Sequence, residues 1–361
     1  MSSSSTSELI KPLNAHNSSL QQVAVIGAGS FGTVIANLLA TNSKVLLYIR
    51  RREKYEVIKT ERSSSGYPLH DNVVPIDDLA TLAASCRIIF PMVPSAAFRN
   101  MMRELSPHLH PYHILIHGTK GLDSQEVSLR ESLHRISREN IRTMSEVIAE
   151  ESVVVRIGCL AGPNLAAELG QGQPGATVVA SDFDEVILAG KKLLRSGLFQ
   201  VYSSNDLIGV ELCGVLKNII AIAAGMLSGL GYGENARAML ISRGLVEMIY
   251  LGQALGGNVK AFIGLAGVGD LIATCTSTRS RNYTVGFRMA SGETLDDIIK
   301  DMEEVAEGVN TVRIMKKLAD HHEISAPITK TLYHILYEDL TPQRALERLM
   351  KFPLNTDINF L

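Results

Sequence analysis

A chain of 361 residues exceeds what one ordinary hydrophobic core organises, so two domains are expected. With 46% apolar and 20% charged residues it can bury a sizeable core, which excludes global disorder, and a net charge of −2 argues against a nucleic-acid or anionic-membrane binder. The four cysteines (Cys86, Cys159, Cys213 and Cys275) lie far apart without C-x-x-C or zinc spacing, and predict reduced, buried thiols in a cytoplasmic protein.

Residues 1–20 hold seven serines and one lysine but no apolar stretch of signal-peptide length, and are expected to form a flexible tail. The first predicted strand, Val23–Ile26, runs into Gly27, Gly29 and Gly32 in G-x-G-x-x-G spacing. A helical pattern of Val34, Ile35, Leu38 and Leu39 follows at once. In that order the glycines signal dinucleotide binding. Gly27 permits the tight turn, Gly29 lets the backbone approach a pyrophosphate, and Gly32 brings the helix close to the strand. The helix N-terminus offers free N–H groups and a positive dipole end to the anion. The competing reading is a glycine-rich turn of no special purpose.

Further strands are predicted at Val45–Ile49, Arg87–Met92, His113–Ile116, Val153–Leu160, Ala176–Ala180 and Gln200–Tyr202. Several are apolar on both faces, as in a parallel sheet covered by helices. Ligands bind outside the carboxyl ends of such strands. Those ends collect Ser30, then Arg50, Arg51 and Arg52, then Pro94 and Ser95, then Thr119, Lys120 and Gly121, and finally Gly162, Pro163 and Asn164. About 20 residues past the glycines an acid usually holds the ribose hydroxyls of NAD. Here Arg50 stands instead; it suits the 2′-phosphate of NADP, or is a solvated basic turn.

Beyond Asn205 the β-type runs nearly disappear. The expected fold is therefore α/β: an N-terminal Rossmann-like doubly wound sheet over 21–204, then an all-helical substrate-binding domain over 205–361. Leu212–Leu230 has the length of a membrane span, but Lys217 and Asn218 stand in its middle, where a charge is costly in lipid. A buried helix of a globular domain is expected. If buried, Lys217 is paired or has a lowered pKa suited to proton transfer; otherwise its stem snorkels and its head reaches water. The glycine-rich segment 264–282 holds Asp270, either a partner for a buried cation or a helix cap. It also holds Arg279, Ser280, Arg281 and Asn282, a set of anion donors or solvated side chains. Thr294 with Asp297, and Thr341 with Pro342, mark later helix starts. No metal is expected: there is no H-E-x-x-H, and His108, His110 and His113 lack matching carboxylates.

From about Val23 to about Phe352 these blocks resemble NAD(P)-dependent glycerol-3-phosphate dehydrogenase of the bacterial type. The resemblance rests on G-A-G-S-F-G-T (27–33), V-P-S (93–95), G-T-K-G (118–121), A-G-P-N-L-A-A-E-L (161–169), L-K-N (216–218), G-L-A-G-V-G-D-L (264–271), S-R-N (280–282) and V-A-E-G-V-N-T (305–311). It implies that Ser30, Phe31, Arg50, Ala166, Val305 and Glu307 contact NAD or NADP, alongside the three glycines. Lys120 would lie where cofactor and substrate meet, and Gly162, Asn164, Asp270, Ser280, Arg281 and Asn282 would contact the substrate, with Arg281 shared with the cofactor. Lys217 would accept the proton in glycerol 3-phosphate oxidation.

The implied reaction is the reversible reduction of dihydroxyacetone phosphate to sn-glycerol 3-phosphate, serving glycerophospholipid synthesis. The implied setting is a cytoplasmic homodimer with no nucleic-acid or membrane partner. Three positions depart from the family: Asn164 stands for the usual Ser or Thr, Phe31 for Trp or Tyr, and Tyr283 for a basic residue. A two-domain hydroxy-acid dehydrogenase and a non-catalytic NAD(P) sensor are the rival readings. The sensor would need no constellation of Lys217, Lys120 and Asp270.

Overall fold

The computed structural model describes residues 20–124, 137–302 and 306–351; the serine-rich stretch 1–19 lies outside them. In chain order the strands are β1 (Gln22–Ile26), β2 (Lys44–Tyr48), β3 (Ser63–Ser64), β4 (Tyr67–Pro68), β5 (Val73–Ile76) and β6 (Ile88–Pro91). They continue with β7 (Ile114–His117), β8 (Asp123–Ser124), β9 (Ile141–Arg142), β10 (Arg156–Ala161), β11 (Gly175–Ala180) and β12 (Phe199–Ser204). Eight of these form one sheet in the order β12-β11-β10-β7-β6-β1-β2-β5, and two short ribbons pair β3 with β4 and β8 with β9.

Within the large sheet the central strands β1, β6, β7 and β10 are buried on both faces, whereas the edge strand β12 exposes one face. Val23 and Val25 of β1 belong to one core cluster, Ala24 and Ile26 to another. Alternate residues of a strand point to opposite faces, so helices must cover both. On the two faces and edges lie α1 (Ser30–Ala40), α2 (Arg52–Glu61), α3 (Leu79–Ser85), α4 (Ser95–Leu105), α5 (Met144–Glu151), α6 (Ala166–Leu169) and α7 (Asp184–Leu194). The chain winds from β1 out to β2 and β5, then returns to β6 on the other side of β1. That reversal leaves a crevice at the carboxyl ends of β1 and β6, the ligand site of such sheets.

Three features differ from the sequence reading. The expected parallel order stops at β10: β11 pairs with it antiparallel, and β12 runs alongside β11. The connection 162–174 contains only the four-residue α6, too little helix to carry the chain back across the sheet for a parallel return. Strand β5 was missed because Pro75 interrupts its apolar run. Proline is tolerated there because β5 is an edge strand. Val153 and Val155, expected in a strand, are exposed ahead of β10.

The remaining chain is helical: α8 (Leu207–Gly229), α9 (Glu234–Ala254), α10 (Val259–Phe262), α11 (Asp270–Thr276), α12 (Arg281–Ala290), α13 (Leu295–Asp301), α14 (Glu307–His321), α15 (Pro327–Tyr337) and α16 (Pro342–Met350). Thr294 and Thr341 cap α13 and α16 as their sequences predict. Helix α8 is long and apolar enough to cross a membrane, yet nearly all of it is packed inside the protein. It is the core helix around which the others assemble. Its crossing with α12 is very close: a Cβ on Gly225 would fall 1.9 Å from Tyr283 O, and one on Gly286 would fall 1.8 Å from Ile222 O. Only glycine allows two helix backbones to approach this far.

Candidate active site

The glycine turn sits at the crevice. Gly27 has φ +116°, and a Cβ there would lie 2.6 Å from Met92 O; one on Gly32 would lie 2.0 Å from Gly27 O. Gly29 caps α1 with no side chain over the helix end, and no acid occupies the first turn, which begins at Ser30 and Phe31. The cradle fits a dinucleotide pyrophosphate: open N–H groups, a positive helix end and no Cβ to block approach. From outside, Ala28 O accepts bonds from Lys54 Nζ at 3.0 Å and Ser64 Oγ at 2.9 Å, which hold the turn in place. Arg50 is exposed just past the carboxyl end of β2. Its neighbour Arg52 is taken by Asp77 and Glu56. The Phe31 ring lies against Gly118, where a Cβ would come within 2.8 Å of it, two residues from Lys120.

The chemistry gathers around one buried carboxylate. Asp270 opens α11 and is 1% exposed. Its Oδ1 accepts from Lys217 Nζ at 2.7 Å and its Oδ2 from Lys120 Nζ at 2.9 Å. Lys217 also donates to Thr274 Oγ1, and Thr274 in turn donates to Asp270 O at 2.6 Å. Lys120 lies 3.4 Å from Gly162 O, and Asn218 Nδ2 donates to Lys120 O at 3.4 Å. Lys217 is 4% exposed, so it is a buried, paired lysine and the snorkelling alternative is excluded. Asp270 is its ion partner.

Electrostatics follow from this geometry. Burial pushes Lys217 down to about 8; Lys120 pushes the same way, while Asp270 opposes both. For Asp270, burial alone would raise the pKa, but Lys120 and Lys217 more than offset it and keep the carboxylate ionised. Burial pushes the nearby Cys275 thiol up to about 12, so it stays protonated. The pocket thus holds two lysines on one carboxylate. Asp270 and Thr274 take two of the three positions around Lys217 Nζ, and no third partner is found among the described residues.

The other expected residues surround this centre. Gly162 has φ +148°, and a Cβ would meet Ala176 O at 2.9 Å. Asn164 is 7% exposed; its Nδ2 donates to Thr177 Oγ1 at 2.9 Å, and its Oδ1 has no partner among the described residues. Ala166 begins α6 two residues on. Ser280 caps α12, and Arg281 begins that helix. Asn282 Oδ1 accepts from Gly308 N at 2.9 Å, so half of its amide holds α12 to α14. Arg279 stands apart and donates to Gln171 Oε1 at 3.3 Å. Glu307 reaches the first domain, where its carboxylate accepts from Ser95 N at 2.8 Å and from Ser95 Oγ at the start of α4. Val305 lies outside the described residues. Sequence reasoning missed Thr274, which only its place four residues after Asp270, one helical turn on, would have flagged.

Comparison with known proteins agrees with this arrangement. Residues 22–187 match the family described as NAD-dependent glycerol-3-phosphate dehydrogenase N-terminus, and residues 206–347 match its C-terminus. The chain is 40% identical over 347 residues to glycerol-3-phosphate dehydrogenase (NAD(P)+) of Saccharophagus degradans, covering 95% of this chain and 93% of that one. Against the Pseudomonas putida protein of the same name identity is 42%, covering 94% and 97%. The crystal structure of glycerol-3-phosphate dehydrogenase from Coxiella burnetii superposes with a TM-score of 0.83 at 34% identity, covering 92% of this chain and 99% of that one.

Proposed function

The chain belongs to the NAD-dependent glycerol-3-phosphate dehydrogenase family, and from that premise we propose which of its residues perform the reaction. The enzyme reduces dihydroxyacetone phosphate reversibly to sn-glycerol 3-phosphate with NADH or NADPH, a step that supplies glycerophospholipid synthesis. When bound, the nicotinamide supplies the hydride for the substrate's C2. Protonated Lys217 donates a proton to the C2 oxygen in reduction; neutral Lys217 takes it back in oxidation. Lys120 adds positive charge beside that oxygen and helps keep Lys217 near the pKa at which it works. Asp270 holds both lysines in register. Ser280, Arg281 and the amide nitrogen of Asn282 grip the phosphate, whose binding fixes C2 against the lysine. Asn164 Oδ1, which lacks a partner among the described residues, accepts a substrate hydroxyl. Gly162, packed against the β11 backbone with its carbonyl oxygen 3.4 Å from Lys120 Nζ, contacts the substrate beside that lysine.

The single observation behind this reading is Asp270 joining two lysines, one of them brought down to about 8. The test is oxidation of NADH or NADPH, followed by near-ultraviolet absorbance, with dihydroxyacetone phosphate as substrate. Activity with a 2-keto acid and none with the triose phosphate would return the case to a hydroxy-acid dehydrogenase.

Gly27, Gly29, Gly32, Ser30, Phe31, Ala166 and Glu307 are the remaining groups proposed to hold the cofactor, with Arg50 beside the adenosine ribose. In Arg50→Ala, kcat/KM for NADPH should fall roughly 10-fold or more, the weight of one charge-assisted contact, with NADH nearly unaffected. An equal loss with both cofactors would remove the 2′-phosphate role. Arg281→Ala should raise KM for dihydroxyacetone phosphate by roughly 10- to 100-fold, and an unchanged KM would discard the phosphate assignment. We place the domain boundary between 204 and 205. We also read the enzyme as cytoplasmic, supported by four buried, unpaired cysteines and by the inward packing of α8. The family resemblance implies a homodimer, which sedimentation would check.

A further inference from the structure

Behind Lys120 the two domains meet through a second buried ionisable pair. His117 closes β7, three residues before Lys120, and Glu211 lies on α8, six residues before Lys217. Both side chains are 1% exposed, and Glu211 Oε1 lies 3.3 Å from His117 Nε2. The same oxygen accepts from Met144 N at 2.5 Å and Ser145 N at 3.1 Å, and Ser145 Oγ stands 3.0 Å from His117 Nε2. His117 and Ser145 hold the Glu211 carboxyl below its ordinary pKa although burial works against them.

Capping α5 accounts for the Glu211 carboxylate, which takes the Met144 and Ser145 N–H groups, but not for the histidine buried beside it. Thr143 also caps that helix, in a reciprocal box with Glu146. Burying two ionisable groups is expensive and needs another reason. The register supplies one. The loop that carries Lys120 is pinned to α8 at two points, His117 on Glu211 and Lys120 O on Asn218 Nδ2. From 117 to 120 an extended chain spans about 10 Å. From 211 to 218 the helix rises about 10.5 Å. The two spans match, and Gly214 lies between the pins, its side facing the Lys120 stem.

We infer that His117 and Glu211 are a positioning pair, which clamps the 118–120 loop to α8 so that Lys120 meets Asp270 beside Lys217. The inference rests on the roles given above to Lys120 and Lys217. Lys217 reports on the clamp through the groups that face it: Asp270, Thr274 and Cys275 from α11, and Lys120 from the loop after β7. A loosened clamp lets Lys120 retreat. That removes positive charge from beside Lys217 and leaves Asp270 to it alone, so the pKa of Lys217 rises.

The experiment is the pH dependence of kcat for glycerol 3-phosphate oxidation in the wild type, Glu211→Gln, His117→Gln and Ser145→Ala. Glu211→Gln and His117→Gln should lower kcat by about 10-fold or more, the effect of a small misplacement of a catalytic group. They should also move the ionisation upward by about half a pH unit, with KM for NAD or NADP nearly unchanged. Ser145→Ala, which removes only one support of His117, should shift it less and in the same direction. If Glu211→Gln does not fold, the other two variants carry the test. Folded variants with lower Tm but an unmoved ionisation and kcat would make the pair structural and overturn the inference alone. A wild-type profile without an ionisation near that of Lys217 would overturn the base assignment, and this inference with it.

Discussion

Replacing Lys217 with alanine should reduce kcat in both directions by roughly 10²- to 10⁴-fold, the range for loss of a positioned acid–base group. Cofactor affinity should barely change, because the glycine turn and Arg50 lie on the other domain. Lys217 is held by Asp270 and Thr274 alone among the described groups it bonds, so its removal leaves Asp270 paired with Lys120 and the fold intact. Arginine at this position should not restore activity, since a guanidinium does not release its proton near neutrality. The pH profiles follow from a pKa lowered to about 8. Reduction needs the protonated lysine, so its kcat declines as pH rises past that value. Oxidation needs the neutral lysine, so its kcat climbs to a plateau above it. Steady-state rates across pH, with cofactor Kd by fluorescence, check this; a folded variant within ten-fold of wild type would remove Lys217 from the chemistry.

Asp270→Asn should be the most damaging change to stability and activity together. The amide keeps the shape but leaves two cations without their counter-charge, one of them 4% exposed. Breaking a buried ion pair from one side costs about 3–5 kcal/mol. Asp270 is also the group that opposes the lowering of Lys217. Without it the lysine loses its proton at lower pH, and reduction should decline well below pH 8. Denaturant unfolding reads the first effect and the pH profile the second. An unchanged profile would mean that Asp270 does not tune Lys217.

How much of this was legible in the sequence depends on distance along the chain. The glycine turn is local, strand then turn then helix, and the sequence shows it whole. The reaction centre is not local: Asp270 bonds Lys217 across 53 positions and Lys120 across 150. Residue types alone left Lys217 open between a buried acid and a snorkelling side chain, and only the family resemblance joined the three. Pro75 concealed β5, because a proline in an apolar run reads as a break unless the strand is known to be an edge. The reversed β11 and β12 were hidden for a related reason: strand direction is set by how far a connection reaches, which apolar pattern does not report. Glu211 sat at the margin of an apolar run, and nothing in the sequence pointed to His117 as its partner.

The reversal of β11 and β12 also decides where α8 begins. Because β12 runs opposite to β10, it ends at the edge of the sheet away from the ligand, and the Cys159 thiol touches Leu207 O there. Helix α8 then climbs beside β10: Gly214 comes level with Ala161, and Lys217 with the two loops that carry Lys120 and Gly162. The helix works as a ruler laid from the far edge to the reacting edge. One residue inserted between Asp206 and Lys217 would turn the lysine by about 100° and move it about 1.5 Å along the axis. The number of residues in this segment is therefore as much a part of the active site as the lysine itself.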